Sequence, residues 1–192
     1  MTLVAGCDEV GRGCLAGPLV AAAVILPPDY STFLIKDSKK LTPAGRIKLS
    51  DQLLEDALDW AIGFVTSSEV DGSNVLKASH LAMHRAIDKL ILQPTLLLID
   101  GNRFEPYPGI SHTCLVKGDI RCSSIAAASI IAKVYRDEYM CFLDDLFPGY
   151  GWRINKGYPT KEHRRAIAAL GMSSHHRRTF RQLALPSLWD CT

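Results

Sequence analysis

The sequence predicts an α/β fold in which helices cover a mixed β-sheet and further helices end the chain. Two observations lead to this prediction. Short apolar runs bounded by glycine or proline alternate with segments whose apolar residues recur at helical spacing, and only helical patterns follow residue 150. The 192 residues, 47% hydrophobic and 22% charged, are enough to bury a core without disulfides or structural metals.

The predicted strands are short, continuous apolar runs, as buried strands of an α/β sheet usually are. The second run ends at Pro27 and Pro28, and the fourth ends in the carboxylate of Asp100. The runs cover residues 3–7, 19–26, 60–66, 96–100 and 112–116.

The predicted helices are marked by capping residues and by apolar spacing. Thr42 and Pro43 supply an N-cap and a first-turn proline, and Pro94 stops a later helical pattern. Small side chains at residues 126–129 allow close packing of a long helix on the sheet. The helices are expected from residue 43, over 73–92, over 122–147, between Thr160 and Gly171, and after a cap at Ser174.

Composition and termini exclude several classes of protein. No apolar run reaches the roughly 18 residues that span a bilayer, so a transmembrane protein is excluded. No basic leader precedes an apolar run at the N-terminus, so we expect a cytoplasmic protein without a signal peptide. The six cysteines form no CxxC pair, and we expect free thiols rather than a zinc or redox motif.

The net charge of +2 is unevenly distributed. Residues 153–181 contain eight lysines and arginines against the single acid Glu162, a charge of +7, which leaves −5 for the rest of the chain. A basic segment on an acidic body favours a polyanionic partner. A solvated helix surface explains the same pattern equally well.

Acidic residues follow three of the predicted strands. Asp8 with Glu9, and Asp100, come directly after apolar runs, and Asp119 lies between a strand and a helix. Ligands of open α/β sheets gather at strand ends, and four converging carboxylates need a cation to offset their repulsion. Carboxylate oxygens suit Mg²⁺ or Mn²⁺. A helix cap or a solvated turn is the alternative for each acid taken alone, above all for Asp119.

Two loops carry residues that suit nucleic-acid binding. Gly11, Arg12 and Gly13 form a loop, here called the GRG loop, in which a backbone can approach a ligand beside a guanidinium. For an isolated GRG, a simple turn is the better explanation. Lys39 and Lys40 place two cations in a polar loop, where they either contact phosphate or are solvated.

Eight short motifs follow one another over almost the whole chain. They are AGCDEVGRG (5–13), DSKKL (37–41), LIDGN (98–102), VKGD (116–119), AASIIAKV (127–134), RD (136–137), KGYPT (156–160) and HHRR (175–178). In this order they resemble bacterial ribonuclease HII, the type 2 ribonuclease H. The resemblance implies an RNase H-like catalytic domain at residues 1–150 and a basic helical C-terminal extension at residues 151–192 packed on it.

The resemblance also implies roles for individual residues. It makes Asp8, Glu9, Asp100 and Asp119 the catalytic, metal-binding acids, and the GRG loop the reader of the ribose 2′-hydroxyl. It makes Tyr158 the ring that packs on the deoxyribose after an RNA–DNA junction. Further substrate contacts are expected from the basic residues Lys39, Lys40, Arg177 and Arg178. The family usually has proline after the GRG loop, where this sequence has Cys14, which could loosen the loop or make it oxidisable.

The implied activity is that of an endoribonuclease. It would hydrolyse the RNA strand of RNA–DNA hybrids and cut 5′ of single ribonucleotides in duplex DNA, using two Mg²⁺ or Mn²⁺ ions and leaving 5′-phosphate and 3′-hydroxyl ends. We expect a monomer acting in ribonucleotide repair. One alternative is a binding module, which the acids disfavour because carboxylates repel phosphate without a metal. Another is a DNA resolvase or exonuclease of the same fold, which the GRG and KGYP segments disfavour. The apolar tail, residues 183–192, either docks a partner or packs on the body.

Overall fold

The computed structural model describes residues 2–30, 35 and 42–181. The strands of this part of the chain are β1 Val4–Val10, β2 Leu19–Ile25, β3 Asp59–Val65, β4 Leu96–Asp100 and β5 Ser111–Leu115. The helices are α1 Pro43–Asp56, α2 Ser67–Asp71, α3 Val75–Ile87, α4 Ser123–Leu146, α5 Trp152–Asn155 and α6 Lys161–Leu170. A single 3₁₀ turn, Gly118–Ile120, lies between β5 and α4.

The strands form one mixed sheet in the order β3-β2-β1-β4-β5. Strand β1 pairs antiparallel with β2 and parallel with β4, and β5 runs parallel to β4. The carboxyl ends of β1, β4 and β5 therefore lie at the same edge of the sheet. The predicted α/β class with a mixed sheet and flanking helices is confirmed.

Helices cover both faces of the sheet. On one face, alternate residues of β1 and β4, such as Cys7 and Ile99, pack against α3. On the other face, β2 packs against α1 and the small residues 126–128 of α4. The side chains of Asp8 and Asp100 follow Cys7 and Ile99 in their strands and therefore lie on the α4 face.

Capping explains most helix starts. The hydroxyl of Thr42 accepts a hydrogen bond from the Gly45 amide at the start of α1, and Thr160 caps α6 in the same way, so both predicted caps are confirmed. The short helix α2, whose capping box joins Thr66 and Glu69, was not among the predicted helices.

Two predicted helices differ from the structure. The helix expected over residues 73–92 ends at Ile87, because the Asp59 carboxylate accepts the amides of Ile91 and Leu92 and holds them in a non-helical turn. No helix begins at Ser174 within the described residues. That segment instead follows the loop at residues 14–17, to which it is joined by a bridge between Ala16 and His176.

The C-terminal helices share a third apolar cluster with the body. Trp152 and Ile167 pack there against Leu15, Met140 and Leu143. The division of the chain at residue 150 stays a prediction, but packing of the last helices on the body is visible. Within the described residues, no helix is both long and apolar enough to cross a membrane.

Candidate active site

Strand register brings two of the predicted acids together. Cys7 of β1 is level with Ile99 of β4, so Asp8 and Asp100 are neighbours across the parallel pair. Asp8 lies inside β1 rather than past its end, which corrects the expected placement. The strand is longer than its apolar run because β1 stays paired with β2 as far as Val10.

The acids of β1 lie in an electrostatically unfavourable place. Asp8 is only 7% exposed, and burial, followed by the charge of Glu9, raises the pKa of its carboxyl to about 8. The negative charge of Asp100 also raises this pKa, and a hydrogen bond with Ser129 lowers it. Burial raises the pKa of Glu9 as well, against the opposing charge of Arg12, whose guanidinium lies 3.2 Å from the Glu9 carboxylate.

Asp100 and Asp119 come from the neighbouring strand and turn. The last residue of β4, Asp100, accepts a hydrogen bond of 2.7 Å from the Gly118 amide through Oδ1. Asp119 follows Gly118 in the 3₁₀ turn and is half-buried. Within the described ranges, no group of three or more histidine, cysteine, aspartate or glutamate side chains is arranged to hold a metal ion. Convergence of all four acids on one ion stays a prediction.

The GRG loop follows β1. The fold requires the first of its two glycines but not the second. Gly11 has a φ of +99°, and a Cβ there would meet the Arg136 side chain and the Pro18 carbonyl. A Cβ on Gly13 would meet nothing within 4 Å. Gly13 is exposed, so its missing side chain leaves room on the outside of the molecule.

Two buried arginines hold the chain in and directly after this loop. Arg136 of α4 donates to the carbonyls of Ala16, Pro18 and Lys156. Arg177 is 0% exposed and donates to the carbonyls of Arg12 and Gly17. Burial lowers the pKa of Arg177 to about 10.

These placements change the picture obtained from the sequence. Arg177 was expected to contact a duplex directly, but its guanidinium faces the inside of the loop and supports it. Arg136 was assigned no role. The sequence feature that reveals Arg136 is its four-residue spacing from apolar positions of α4. This spacing places a charged side chain on the buried face of the helix, in line with Ala128, Ala132 and Met140.

Tyr158 lies in a tight turn against the same loop. Gly157 has a φ of +81°, and a Cβ there would meet the Ala16 carbonyl. The Gly157 carbonyl accepts a hydrogen bond from the Leu15 amide at 2.8 Å. The Tyr158 ring is 38% exposed, and the charged ends of Lys133 and Arg136 lie 5.7 and 5.9 Å from its centroid.

Cys14 connects this turn to the GRG loop. Its sulfur is hydrogen-bonded to the Tyr158 hydroxyl, and its side chain is fully buried. Burial raises the pKa of the thiol, which disfavours the reactive thiolate. The packing argues against the expectation that Cys14 makes the loop oxidisable. The described cysteines are all free thiols.

The basic C-terminal segment divides into paired and exposed cations. Arg153 forms ion pairs with Asp144 and Asp145. Lys161, Arg165 and Arg178 are exposed. The predicted substrate contacts Lys39 and Lys40, and the tail at residues 183–192, lie outside the described residues.

Comparison with known proteins decides the family. A family model described as ribonuclease HII matches residues 5–183. The chain belongs to the ribonuclease HII family. The ribonuclease HII of Bacteroides thetaiotaomicron is 56% identical over 179 residues, which cover 93% of this chain and 90% of the relative. The ribonuclease HII of Parabacteroides distasonis is 57% identical over 176 residues, 92% of this chain and 88% of the relative.

Solved structures agree with this ribonuclease HII assignment. Ribonuclease H2 from Pyrococcus horikoshii superposes with a TM-score of 0.81 at 27% identity, covering 94% of this chain and 95% of that one. The ribonuclease HII of Archaeoglobus fulgidus, solved in complex with PCNA, gives 0.79 at 26% identity, covering 97% and 98%. The RNase H-like fold is confirmed.

Family membership establishes the activity. Ribonuclease HII enzymes cleave the RNA of RNA–DNA hybrids and cut at embedded ribonucleotides by a two-metal mechanism, so this chain is a ribonuclease H endonuclease. The donor chemistry fits a divalent cation, because the buried Asp8 carboxyl is crowded by Glu9 and Asp100 and nearby positive charge would relieve that repulsion.

Proposed function

We propose that Asp8, Glu9, Asp100 and Asp119 hold the divalent ions, Mg²⁺ or Mn²⁺, of this ribonuclease. The observation that supports this most strongly is the buried Asp8 carboxyl, whose raised pKa marks a negative charge that lacks compensation. Arg12 partly compensates Glu9 in the structure. A bound ion would supply that compensation for all the acids and would activate water and stabilise the leaving oxygen.

The GRG loop and Tyr158 are proposed to recognise the substrate from two sides. Backbone groups of the loop would hydrogen-bond the 2′-hydroxyl, which is what distinguishes RNA from DNA at one nucleotide. The Gly13 position supports this because no protein atom fills the space beside it. The exposed part of the Tyr158 ring would pack on the following sugar, where a 2′-oxygen is absent. The enzyme would leave 5′-phosphate and 3′-hydroxyl ends.

The exposed cations Lys161, Arg165 and Arg178 are proposed to contact the duplex backbone without reading its sequence. Arg177 would act from the inside by holding the GRG loop, and Lys39 and Lys40 are proposed as further phosphate contacts. We place this activity in the cytoplasm, on a monomer, as the incision step of ribonucleotide repair.

The experiment that tests the metal assignment compares the protein with its Asp100→Asn variant on three labelled duplexes. These are DNA only, an RNA–DNA hybrid, and DNA containing one ribonucleotide, each with Mg²⁺, Mn²⁺ or a chelator. The amide oxygen of asparagine can still accept the Gly118 amide, so the variant should fold and bind duplex but no longer cleave it. Cleavage near the parent rate in Mg²⁺ would refute the assignment.

A second experiment tests the junction assignment of Tyr158. We expect Tyr158→Ala to lower kcat/KM on the single-ribonucleotide duplex much more than on the continuous hybrid, because only the first depends on recognising a missing hydroxyl. Equal decreases on both substrates, in step with a lower Tm, would show that Tyr158 is only a packing residue.

A further inference from the structure

A chain of buried polar groups lies behind the Tyr158 turn and away from the acids. Its central members are His163 of α6 and His176 of the C-terminal segment, which are 0% and 2% exposed. Their Nε2 atoms lie 3.2 Å apart. Two imidazoles packed in this way need a defined arrangement of protons, because one nitrogen must donate and the other must accept.

The outer partners fix that arrangement. Nδ1 of His163 lies 2.9 Å from the Tyr158 carbonyl, which can only accept, so His163 carries its proton on Nδ1. Its Nε2 is then an acceptor, and it receives the indole N–H of Trp152 at 3.0 Å. Nδ1 of His176 accepts the Ser173 amide at 2.9 Å, so His176 is protonated on Nε2 and donates to His163.

With both imidazoles neutral, each contact has a donor and an acceptor, and the Trp152 indole and His176 share the single lone pair of His163 Nε2. Burial, followed in the case of His176 by the charge of His163, lowers the pKa of His176 to about 4. Burial also lowers the pKa of His163. Both rings are therefore uncharged near neutral pH, as the hydrogen bonds require.

The pair joins the Tyr158 turn and α6 to the C-terminal segment, close to the GRG loop. His163 fixes the carbonyl of Tyr158, and His176 belongs to the segment that lies along residues 14–17. In that segment, the His175 carbonyl accepts a hydrogen bond from the Gly17 amide, and the Arg177 amide donates one to the Leu15 carbonyl. The Gly157 carbonyl joins the Tyr158 turn directly to residues 15 and 16, and the imidazole pair adds a second connection from that turn, through the C-terminal segment, to residues 15–17 beside the GRG loop.

We propose that His163 and His176 are positioning residues for junction recognition: their neutral imidazole pair sets the distance between the GRG loop and the Tyr158 ring. The proposal rests on the function proposed above for Tyr158. Neither imidazole reaches the substrate. Their effect is on substrate choice, because a displaced Tyr158 ring no longer lies one nucleotide beyond the loop that detects the 2′-hydroxyl.

The first test measures the tautomers directly in the whole protein. Long-range ¹H–¹⁵N spectra at pH 7.5 should show His163 protonated on Nδ1 and His176 on Nε2. The Nδ1 form is the less common tautomer of a free histidine, so its presence on His163 reports the bond to the Tyr158 carbonyl. A proton on Nε2 of His163 would overturn the proposal, and this measurement needs no variant to fold.

The second test uses two variants that each keep one side of the His163 ring. In His163→Asn the amide nitrogen takes the place of Nδ1 and can still donate to the Tyr158 carbonyl. In His163→Gln the amide oxygen takes the place of Nε2, so the bonds from Trp152 and His176 can persist while the Tyr158 carbonyl is left without its imidazole partner. Each variant removes part of the network, and their Tm values provide the control for stability.

The readout is the ratio of kcat/KM on the single-ribonucleotide duplex to kcat/KM on the continuous hybrid. We expect His163→Gln to lower this ratio about five- to tenfold, the effect of one hydrogen bond of ordinary net strength. His163→Asn should stay within about twofold of the parent, since the Tyr158 contact is kept. Equal decreases of selectivity in the two variants, or a larger decrease in His163→Asn, would overturn the proposal.

Tyr158→Ala separates failure of this proposal from failure of the proposed function. If Tyr158→Ala lowers the ratio and His163→Gln does not, Tyr158 reads the junction but the imidazole pair does not position it. If Tyr158→Ala leaves the ratio unchanged, the junction role of Tyr158 is wrong and the positioning role falls with it.

Discussion

At the scale of single residues, the position of Asp8 carries a cost in stability. Its carboxyl, proposed above as a metal ligand, lies inside a strand, under α4 and beside two other acids. Its raised pKa means that the folded, metal-free protein holds a proton that the unfolded chain has already released. This difference has a definite sign and can be measured.

We expect the metal-free protein to become less stable as pH rises from about 4 to about 8, the ordinary and the folded pKa of Asp8. Within that window the folded state binds more protons than the unfolded state, so each step up in pH favours unfolding. Asp8→Asn removes the titrating group and should raise the unfolding free energy at pH 8.5 by on the order of 5 kcal/mol, or on the order of ten degrees in Tm.

Thermal melts in chelator across this pH range test the expectation. Asp51→Asn, at an exposed position of α1, is the matched control and should leave the curve unchanged. A parallel pH dependence of Asp8→Asn and the parent protein would show that Asp8 does not cause the slope.

The acids stand out in the sequence, whereas the buried arginine that supports the GRG loop does not. Asp8 and Asp100 could be found because each follows an apolar run. The burial of Arg177 could not, because its partners are backbone carbonyls at Arg12 and Gly17, 165 and 160 residues earlier in the chain. The sequence of a basic segment does not show whether its side chains face solvent or donate to buried backbone carbonyls.

At the scale of elements, the fold requires the first glycine of the GRG loop but not the second. Gly11 is required by a left-handed backbone and by contact with Arg136, whereas Gly13 has open space beside it. We therefore expect Gly13→Ala to keep the Tm within about 2 °C but to lower cleavage of both ribonucleotide substrates by at least about tenfold, through contact of the added methyl with the substrate.

Gly11→Ala is the contrasting variant. Its strained φ and its clash with Arg136 should lower the Tm as well as the activity. Melting curves and cleavage rates measured on both variants distinguish the two cases. Full activity in Gly13→Ala would remove this face of the loop from the substrate site.

Elements were predictable where local signals and tertiary pairing agree. The range predicted for β4 is the observed one, and Thr42 and Thr160 cap the helices expected of them. The end of α3 was missed because an acid from β3, Asp59, takes the amides that would have continued the helix. The sequence does contain a start signal for α2, the capping box of Thr66 and Glu69. The spacing of apolar residues, from which the helices were predicted, does not reveal it.

At the scale of the whole molecule, the basic segment contributes charge only where its side chains are free to meet a duplex. We expect joint substitution of Lys161, Arg165 and Arg178 by glutamine to weaken binding to all duplexes alike. The slope of log Kd against log salt should fall by about one unit for each phosphate that the variant no longer neutralises.

The same titration with Arg153→Gln provides the control, because Arg153 is engaged by Asp144 and Asp145. It should leave the salt slope nearly unchanged. If the triple variant folds normally and keeps the parent slope, the duplex does not lie on this surface.

The attachment of Arg177 and His175 to the first loop has a consequence for protein synthesis. The strands and the acid-bearing turn are all made by residue 120, yet the GRG loop receives its last hydrogen bonds from residues near the end of the chain. Translation from the N-terminus therefore yields a folded sheet before it yields a finished nuclease. A truncated product that ends before His175 would carry all four acids beside a loop without its C-terminal support.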